Sequence, residues 1–212
     1  METLATKGLT MDYTIRSLDA STWDAFAKLV EFNNGIFGGC WCMGFHAEGV
    51  GKDTTAAINC EHKLSRVHAG TAHAALVFDG DDCVGWCQFG VPDEVPRIKS
   101  RAAYERGQTT HPDWRIACCY VGKGHRRQGV ATAALAGALD LIAGQGGCRV
   151  EGYPEDAASV PAGFLYNSRS PNGHDEGSTA FVTTQRCLPI LRSRVKPRFS
   201  YVESAPAGGG RR

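Results

Sequence analysis

The sequence predicts an α/β (α+β) domain, and three observations predict it. Apolar periodicity runs in the order β-α-α-β-β-β-α-β from about residue 12 to 154. A hairpin signal, Asp79-Gly80-Asp81-Asp82, joins two apolar runs in the middle of that order. An apolar run from Ile116 to Val121 then feeds through a basic glycine loop into a small-residue helix.

Residues 1–11 read as a flexible leader. Tyr13–Leu18 alternates as a first strand. Ser21 with Asp24 resembles a capping box, and Trp23, Phe26, Ala27 and Val30 then line one face of a helix ending at Asn33-Asn34-Gly35. Asp53 is placed to cap a second helix, with Ala57, Cys60, Leu64 and Val67 inward, His62 and His68 outward and Gly70 beyond its end. Ala72–Phe78 and Cys83–Phe89 are the hairpin strands. Pro92 and Pro96 break regular structure, and Ile98–Arg106 fits a short helix.

In the next helix Ala131, Ala134, Leu135, Ala138, Leu141 and Ile142 form an apolar stripe. Gly144, Gly146 and Gly147 supply the stop. Cys148–Tyr153 is a short strand ended by Pro154. From about residue 155 the pattern loosens. Phe164–Asn167 fits a helix start, residues 168–178 are turn-rich, and Ala180–Thr184 and Phe199–Val202 fit strands. The expected organisation is a single domain over 12–203 and a disordered tail over 204–212.

A formal charge of +1 argues against electrostatic nucleic-acid binding as the main activity. No apolar run is long enough to span a membrane, and no signal-peptide core is present. Nine scattered cysteines, several inside apolar runs, suggest reduced thiols in a cytoplasmic protein. Cys40-x-Cys42-x-x-x-His46 leaves a tetrahedral metal site short of a ligand, so no metal is expected. The surrounding segment from Gly35 to Gly51 is glycine-rich yet carries Phe37, Trp41, Met43 and Phe45, which either pack in the core or line a pocket.

The loop Gly122-Lys-Gly-His-Arg-Arg-Gln-Gly129 opens a helix, where orphan amides and the helix dipole favour an anion. Two phosphate-binding spellings fail. A dinucleotide fingerprint would need glycine at Arg127, and a Walker loop would need lysine at Val130. A third pattern fits: Arg126-x-x-Gly129-x-Ala131, with Val121 five residues before the arginine. With the apolar strand before it and the helix after it, this resembles the acetyl-CoA-binding motif of the GNAT N-acetyltransferase superfamily. The element order over 12–154 agrees with that family's layout.

The resemblance implies a mixed, mostly antiparallel central sheet with flanking helices, and acetyl-CoA as co-substrate. It places the pyrophosphate on the amides of Arg126, Arg127, Gln128, Gly129, Val130 and Ala131. The pantetheine arm then follows the backbone near Cys119 and Val121. It also implies acceptor contacts from the segment after the first helix, here Trp41 and Phe45, and a proton-donating tyrosine, best matched by Tyr166, with Tyr153 as substitute.

The acceptor expected is a primary amine of a small molecule or peptide, attacking directly in a ternary complex. Its proton, with a pKa of about 10, needs an acceptor. Glu151 is the first candidate, with His46 and Glu94 in reserve. An acyl-CoA-binding sensor domain without turnover is the alternative reading, and a homodimer is compatible with either.

Overall fold

The computed structural model describes residues 12–36, 38–51, 53–98, 110–147, 149–152, 181–184 and 200–201. These form a sheet of strands in sequence order: β1 Thr14–Ser17, β2 His73–Asp79, β3 Asp82–Gly90, β4 Trp114–Val121, β5 Arg149–Gly152, β6 Phe181–Thr184 and β7 Ser200–Tyr201. Neighbours pair antiparallel except β4 and β5, which run parallel through Trp114↔Val150, Arg115↔Glu151 and Ile116↔Gly152. The parallel pair follows from its connection, because a strand–helix–strand crossover returns the chain in the same direction.

Helices α1 (Trp23–Phe32) and α2 (Ala56–His68) cover one face. Helix α3 (Val130–Gly144) covers the other. With both faces covered, β2 and β3 bury nearly every side chain, which is why they read as unbroken apolar runs. Phe26, Trp86, Leu76 and Phe78 centre the α1–α2 core. Val77, Phe89, Ile116 and Ala138 centre the α3 core. At Gly137 a Cβ would lie 2.6 Å from Ile15 Cγ2, so the missing side chain lets α3 approach β1.

One irregularity positions the site. The β3–β4 register steps from Gln88↔Cys118 to Phe89↔Ile116, leaving Ala117 as an inserted residue in β4. Trp114 and Ile116 before the bulge, and Cys119 and Val121 after it, pack on the α3 side. Cys118 and Tyr120 pack on the α1–α2 side.

Several local expectations need correcting. Helix α2 is capped by Thr55, whose hydroxyl accepts from Ile58 N at 3.2 Å, and not by Asp53. Its buried residues are Asn59, Lys63 and Val67, while Ala57 is exposed. The helix faces a loop rich in backbone carbonyls, so the inward face needs donors as well as apolar groups. His62 is half-buried rather than outward-facing.

No capping box forms at α1. Ser21 Oγ donates to Asp19 Oδ1 at 2.6 Å, and Thr22 takes the cap position with its hydroxyl turned back to Ser17 O at 2.7 Å. In α3, Ala131 is exposed and Val130, Gly137 and Leu139 are buried with Ala134, Ala138 and Ile142, because the face set on the sheet is wider than a single apolar stripe. The strand expectations near 180–184 and 199–202 match β6 and β7. The leader, the tail, residues 99–106 of the expected Ile98–Arg106 helix, the helix start at Phe164, and Phe37 and Tyr153 lie outside the described residues.

Candidate active site

The β4–α3 loop is fixed at both ends. Gly122 N donates to Val84 O at 2.8 Å, holding the loop's first residue against β3. His125 N donates to Gly122 O at 3.1 Å, and Gln128 Nε2 donates to Gly124 O at 2.8 Å. The Tyr13 hydroxyl donates to Gln128 O at 3.2 Å. Three loop residues are left-handed: Gly124 (φ 97°), Arg127 (φ 63°) and Gly129 (φ 87°). For Arg127 this conformation costs roughly 1–2 kcal/mol, the kind of local strain that clusters at ligand clamps.

The first helical hydrogen bond of α3 runs from Ala133 N to Gly129 O at 2.9 Å. The amides of Val130, Ala131 and Thr132 precede it and have no carbonyl inside the helix to meet. Gly129 has open space where a Cβ would stand. Lys123, Arg126, Arg127 and Gln128 are exposed and His125 is half-buried, so positive charge surrounds these amides. Val130 turns its side chain into the core at 1% exposure, leaving only its amide for a ligand. The loop's other flank borders a cleft of about 300 Å³, whose lining includes Lys28, Phe32, Asp82 and Lys123.

Upstream, β4 carries Cys119 and Val121, both half-buried on the α3 side. The Cys119 and Cys87 sulfurs lie 3.1 Å apart. Pairing of β4 with β5 reaches Ile116↔Gly152, next to the Ala117 bulge. Glu151 is buried at 1% exposure, and Arg149 Nη2 donates to its Oε1 at 3.4 Å. Tyr166 lies outside the described residues.

The segment after α1 is strained and packed. Asn34, Ile36, Trp41 and Cys42 are all left-handed without being glycine. Trp41 is 4% exposed, stacked on Trp23 at 5.9 Å between ring centroids and edge-on to Phe26 at 6.4 Å. Its ring therefore supports the segment from inside. Phe45 is half-buried. Two donors from α2 hold the segment's carbonyls: Asn59 Nδ2 to Gly39 O at 2.8 Å and Lys63 Nζ to Cys42 O at 3.3 Å.

Sequence reasoning missed the network around Lys63, which has 1% exposure. Its Nζ lies 3.0 Å from His46 Nε2, and Gln88 Nε2 lies 2.9 Å from the same ring nitrogen. His46 Nδ1 faces Glu94 O at 2.8 Å and must donate there, so Nε2 is the acceptor. Burial, with Lys63 adding to it, lowers the His46 pKa to about 3. Burial likewise lowers Lys63 to about 8.

The Cys42 and Cys118 sulfurs lie 3.5 Å apart beside this network. The Cys118 thiol lowers the Cys42 pKa by hydrogen bonding to it, and Lys63 adds to that against the opposing burial. Cys118 is pushed well up by its partner Cys42 and by burial. The only sequence signal was Asn59, Lys63 and Val67 at i, i+4 and i+8, which an apolar template passes over. Glu94 is half-buried, with His73 Nε2 3.3 Å from its Oε2 and the Val91 amide donating to it at 3.3 Å. Among the described residues no group of three or more His, Cys, Asp or Glu side chains is arranged to hold a metal ion. Nor is any described helix long and apolar enough to cross a membrane.

Comparison with known proteins bears on this geometry. The family model described as "Acetyltransferase (GNAT) family" matches residues 37–162. No curated protein matches the chain. Among solved structures, one described as histone acetyltransferase HPA2 and related acetyltransferase, from Corynebacterium glutamicum, is 13% identical. It covers 85% of this chain and 100% of its own, with a TM-score of 0.48. Mosquito arylalkylamine N-acetyltransferase like 5b is 16% identical over 70% of this chain and 79% of its own, with a TM-score of 0.43. An aminoglycoside acetyltransferase from an uncultured soil metagenomic sample is 12% identical over 87% and 97%, with a TM-score of 0.45.

Proposed function

Because the chain belongs to the GNAT acetyltransferase family, we propose that it transfers the acetyl group of acetyl-CoA to a primary amine of a small molecule or peptide. The observation that carries this reading is the β4–α3 turn. Left-handed Arg127 and Gly129 precede three amides with no helical partner, in a ring of exposed cations. Such a turn suits a diphosphate, which accepts several hydrogen bonds and carries the charge the helix dipole favours.

In this reading Arg126, Arg127, Gln128, Gly129, Val130 and Ala131 hold the pyrophosphate. Val130 contributes only its amide. The pantetheine arm follows β4 past Val121 and Cys119 toward the Ala117 bulge, beside the described β4–β5 pair Ile116↔Gly152. The thioester carbon is thereby delivered to the strand junction, and the amine attacks it directly. Holding both reactants there is worth roughly 7–11 kcal/mol of the barrier. Phe45 lines the acceptor side, backed by Trp41.

Glu151 takes the ammonium proton, directly or through water. Arg149 Nη2, 3.4 Å from the Glu151 Oε1, orients the carboxylate. Tyr166 returns a proton to the leaving thiolate. The setting is cytoplasmic.

The test is acetyl-CoA-dependent acetylation of a broad amine panel, read by mass spectrometry, beside a direct measurement of acetyl-CoA binding. Acetylated amine with coenzyme A released in equal amount supports the proposal. Tight binding with no acceptor-dependent turnover would identify an acyl-CoA-binding domain instead, and no binding would refute both.

A further inference from the structure

The buried Lys63 network is left unused by acetyl transfer. An ammonium at 1% exposure needs a compensating negative charge. Among the described residues its surroundings come from four elements. The segment after α1 offers Cys40, Cys42 and His46, and α2 adds Arg66. Strand β3 offers Gln88 and β4 offers Cys118. His46 is neutral and accepts from Lys63. Arg66 is already tied to Glu48, with Nη2 to Oε2 at 2.8 Å. Within this set only a thiol can supply the negative charge.

Cys42 is the thiol best placed. Lys63 Nζ donates to the Cys42 carbonyl at 3.3 Å, and the Cys118 sulfur lies 3.5 Å from the Cys42 sulfur. We propose that Cys42 and Cys118 form a redox-active thiol pair, with Lys63 as the activating cation, which a peroxide converts to a disulfide. The step goes beyond acetyl transfer and does not depend on it.

The chemistry balances without a metal. The Cys42 thiolate attacks one peroxide oxygen, the S–O bond forms, and the O–O bond breaks. The departing hydroxide takes a proton from Lys63 and leaves as water. Cys118 then gives its proton to the Lys63 amine and attacks the Cys42 sulfur. The S–S bond forms and the S–O bond breaks. The hydroxide released takes that proton back and leaves as a second water. The thiolate is consumed and Lys63 ends as a neutral amine, so the cluster carries no net charge at either end. Burial, which holds the Lys63 pKa near 8, makes the neutral amine accessible at the close.

Access and consequence both follow from the backbone. Left-handed conformations at Trp41 and Cys42 cost roughly 1–2 kcal/mol each, which lowers the free energy needed to open the segment to a water-sized oxidant. Once formed, the disulfide would tie residues 38–51 to the strand position directly after the Ala117 bulge. The second sulfur pair, Cys87 and Cys119 at 3.1 Å on the α3 face, provides an internal comparison. There the Cys87 thiol is pushed well up by Cys119 and by burial, so it stays protonated.

Full-length protein would be treated with hydrogen peroxide, digested without reductant and mapped by mass spectrometry. A Cys42–Cys118 cross-linked peptide, reversed by a thiol reductant, is expected. The Cys118→Ser variant should stop at a Cys42 sulfenic acid that dimedone captures. Lys63→Met should slow Cys42 oxidation at least about tenfold, since a thiolate and not a thiol is the nucleophile.

If that variant does not fold, the unmodified protein still decides the matter. A thiolate held by Lys63 should gain clearly less than tenfold in oxidation rate per pH unit between about pH 6 and about pH 8, whereas a free thiol should speed up about tenfold per unit. A rate climbing in that way, or cross-linking confined to Cys87–Cys119, would overturn the proposal whatever the outcome of the acetylation assay.

Discussion

Lys63 Nζ sits 3.0 Å from His46 Nε2, two basic groups in contact within the core. Only one of them can be cationic there at neutral pH, and the geometry gives the charge to the amine. His46 is locked neutral by its Nδ1–H donation to Glu94 O.

The pH dependence of stability follows from that lock. The His46 pKa falls from an ordinary 6.5 to about 3 on folding, so the unfolded chain binds the extra proton between those values. The contribution is complete above about pH 6.5 and is lost as pH falls toward about 3, by about 5 kcal/mol in all. Thermal melts at descending pH should show this loss. A His46→Gln variant should show a shallower decline, and an unchanged slope would remove His46 as the cause.

Coenzyme affinity should depend on the turn. Gly129→Glu places an anion at the phosphate position and strains a left-handed residue (φ 87°), so acetyl-CoA binding should be lost. Arg126→Ala should weaken binding by about 1.5–3 kcal/mol, one charge-assisted hydrogen bond. Isothermal titration with both proteins checks this, and wild-type affinity in both would remove the turn from the site.

Glu151→Gln separates a base from a structural carboxylate. As proton acceptor, its loss should lower kcat by about 10²–10⁴-fold and remove the acidic limb of the pH–rate profile. If the group serves only to pair Arg149, the melting temperature should fall while that limb stays.

Asn59→Leu tests how α2 holds the strained segment. The substitution keeps the volume but leaves Gly39 O without its 2.8 Å donor inside the protein. A loss of about 1–3 kcal/mol in denaturant unfolding is expected, the cost of an unsatisfied buried carbonyl. A change within about 0.5 kcal/mol, usual for a neutral surface position, would mean the carbonyl finds water or another donor.

What the sequence disclosed depended on what each element packs against. The hairpin at Gly80–Asp81 was legible because its turn residues are specific, and β2 and β3 because sheets covered on both faces need continuous apolar runs. The β4–α3 turn was legible because glycine and cations serve a local backbone purpose. Helix α2 was misread for the opposite reason. Apolar periodicity assumes an apolar partner, and this helix meets the Gly39 and Cys42 carbonyls with Asn59 and Lys63. Trp41 was ambiguous because an aromatic in a glycine-rich stretch serves a pocket or a core equally well, and only the stacking on Trp23 shows its ring inside.

The inserted Ala117 also sets the parity of everything after it. Two-residue alternation would otherwise have put Cys118 on the same side as Trp114 and Ile116, against α3. Excising that single alanine should therefore straighten β4 without exchanging its faces: Ile116 and Cys118 would become neighbours on opposite sides, and Cys118 and Tyr120 would stay against α1 and α2. An extra residue between Cys118 and Gly122 that no bulge absorbs would do the opposite, and the turn that follows would start from the wrong side of the sheet.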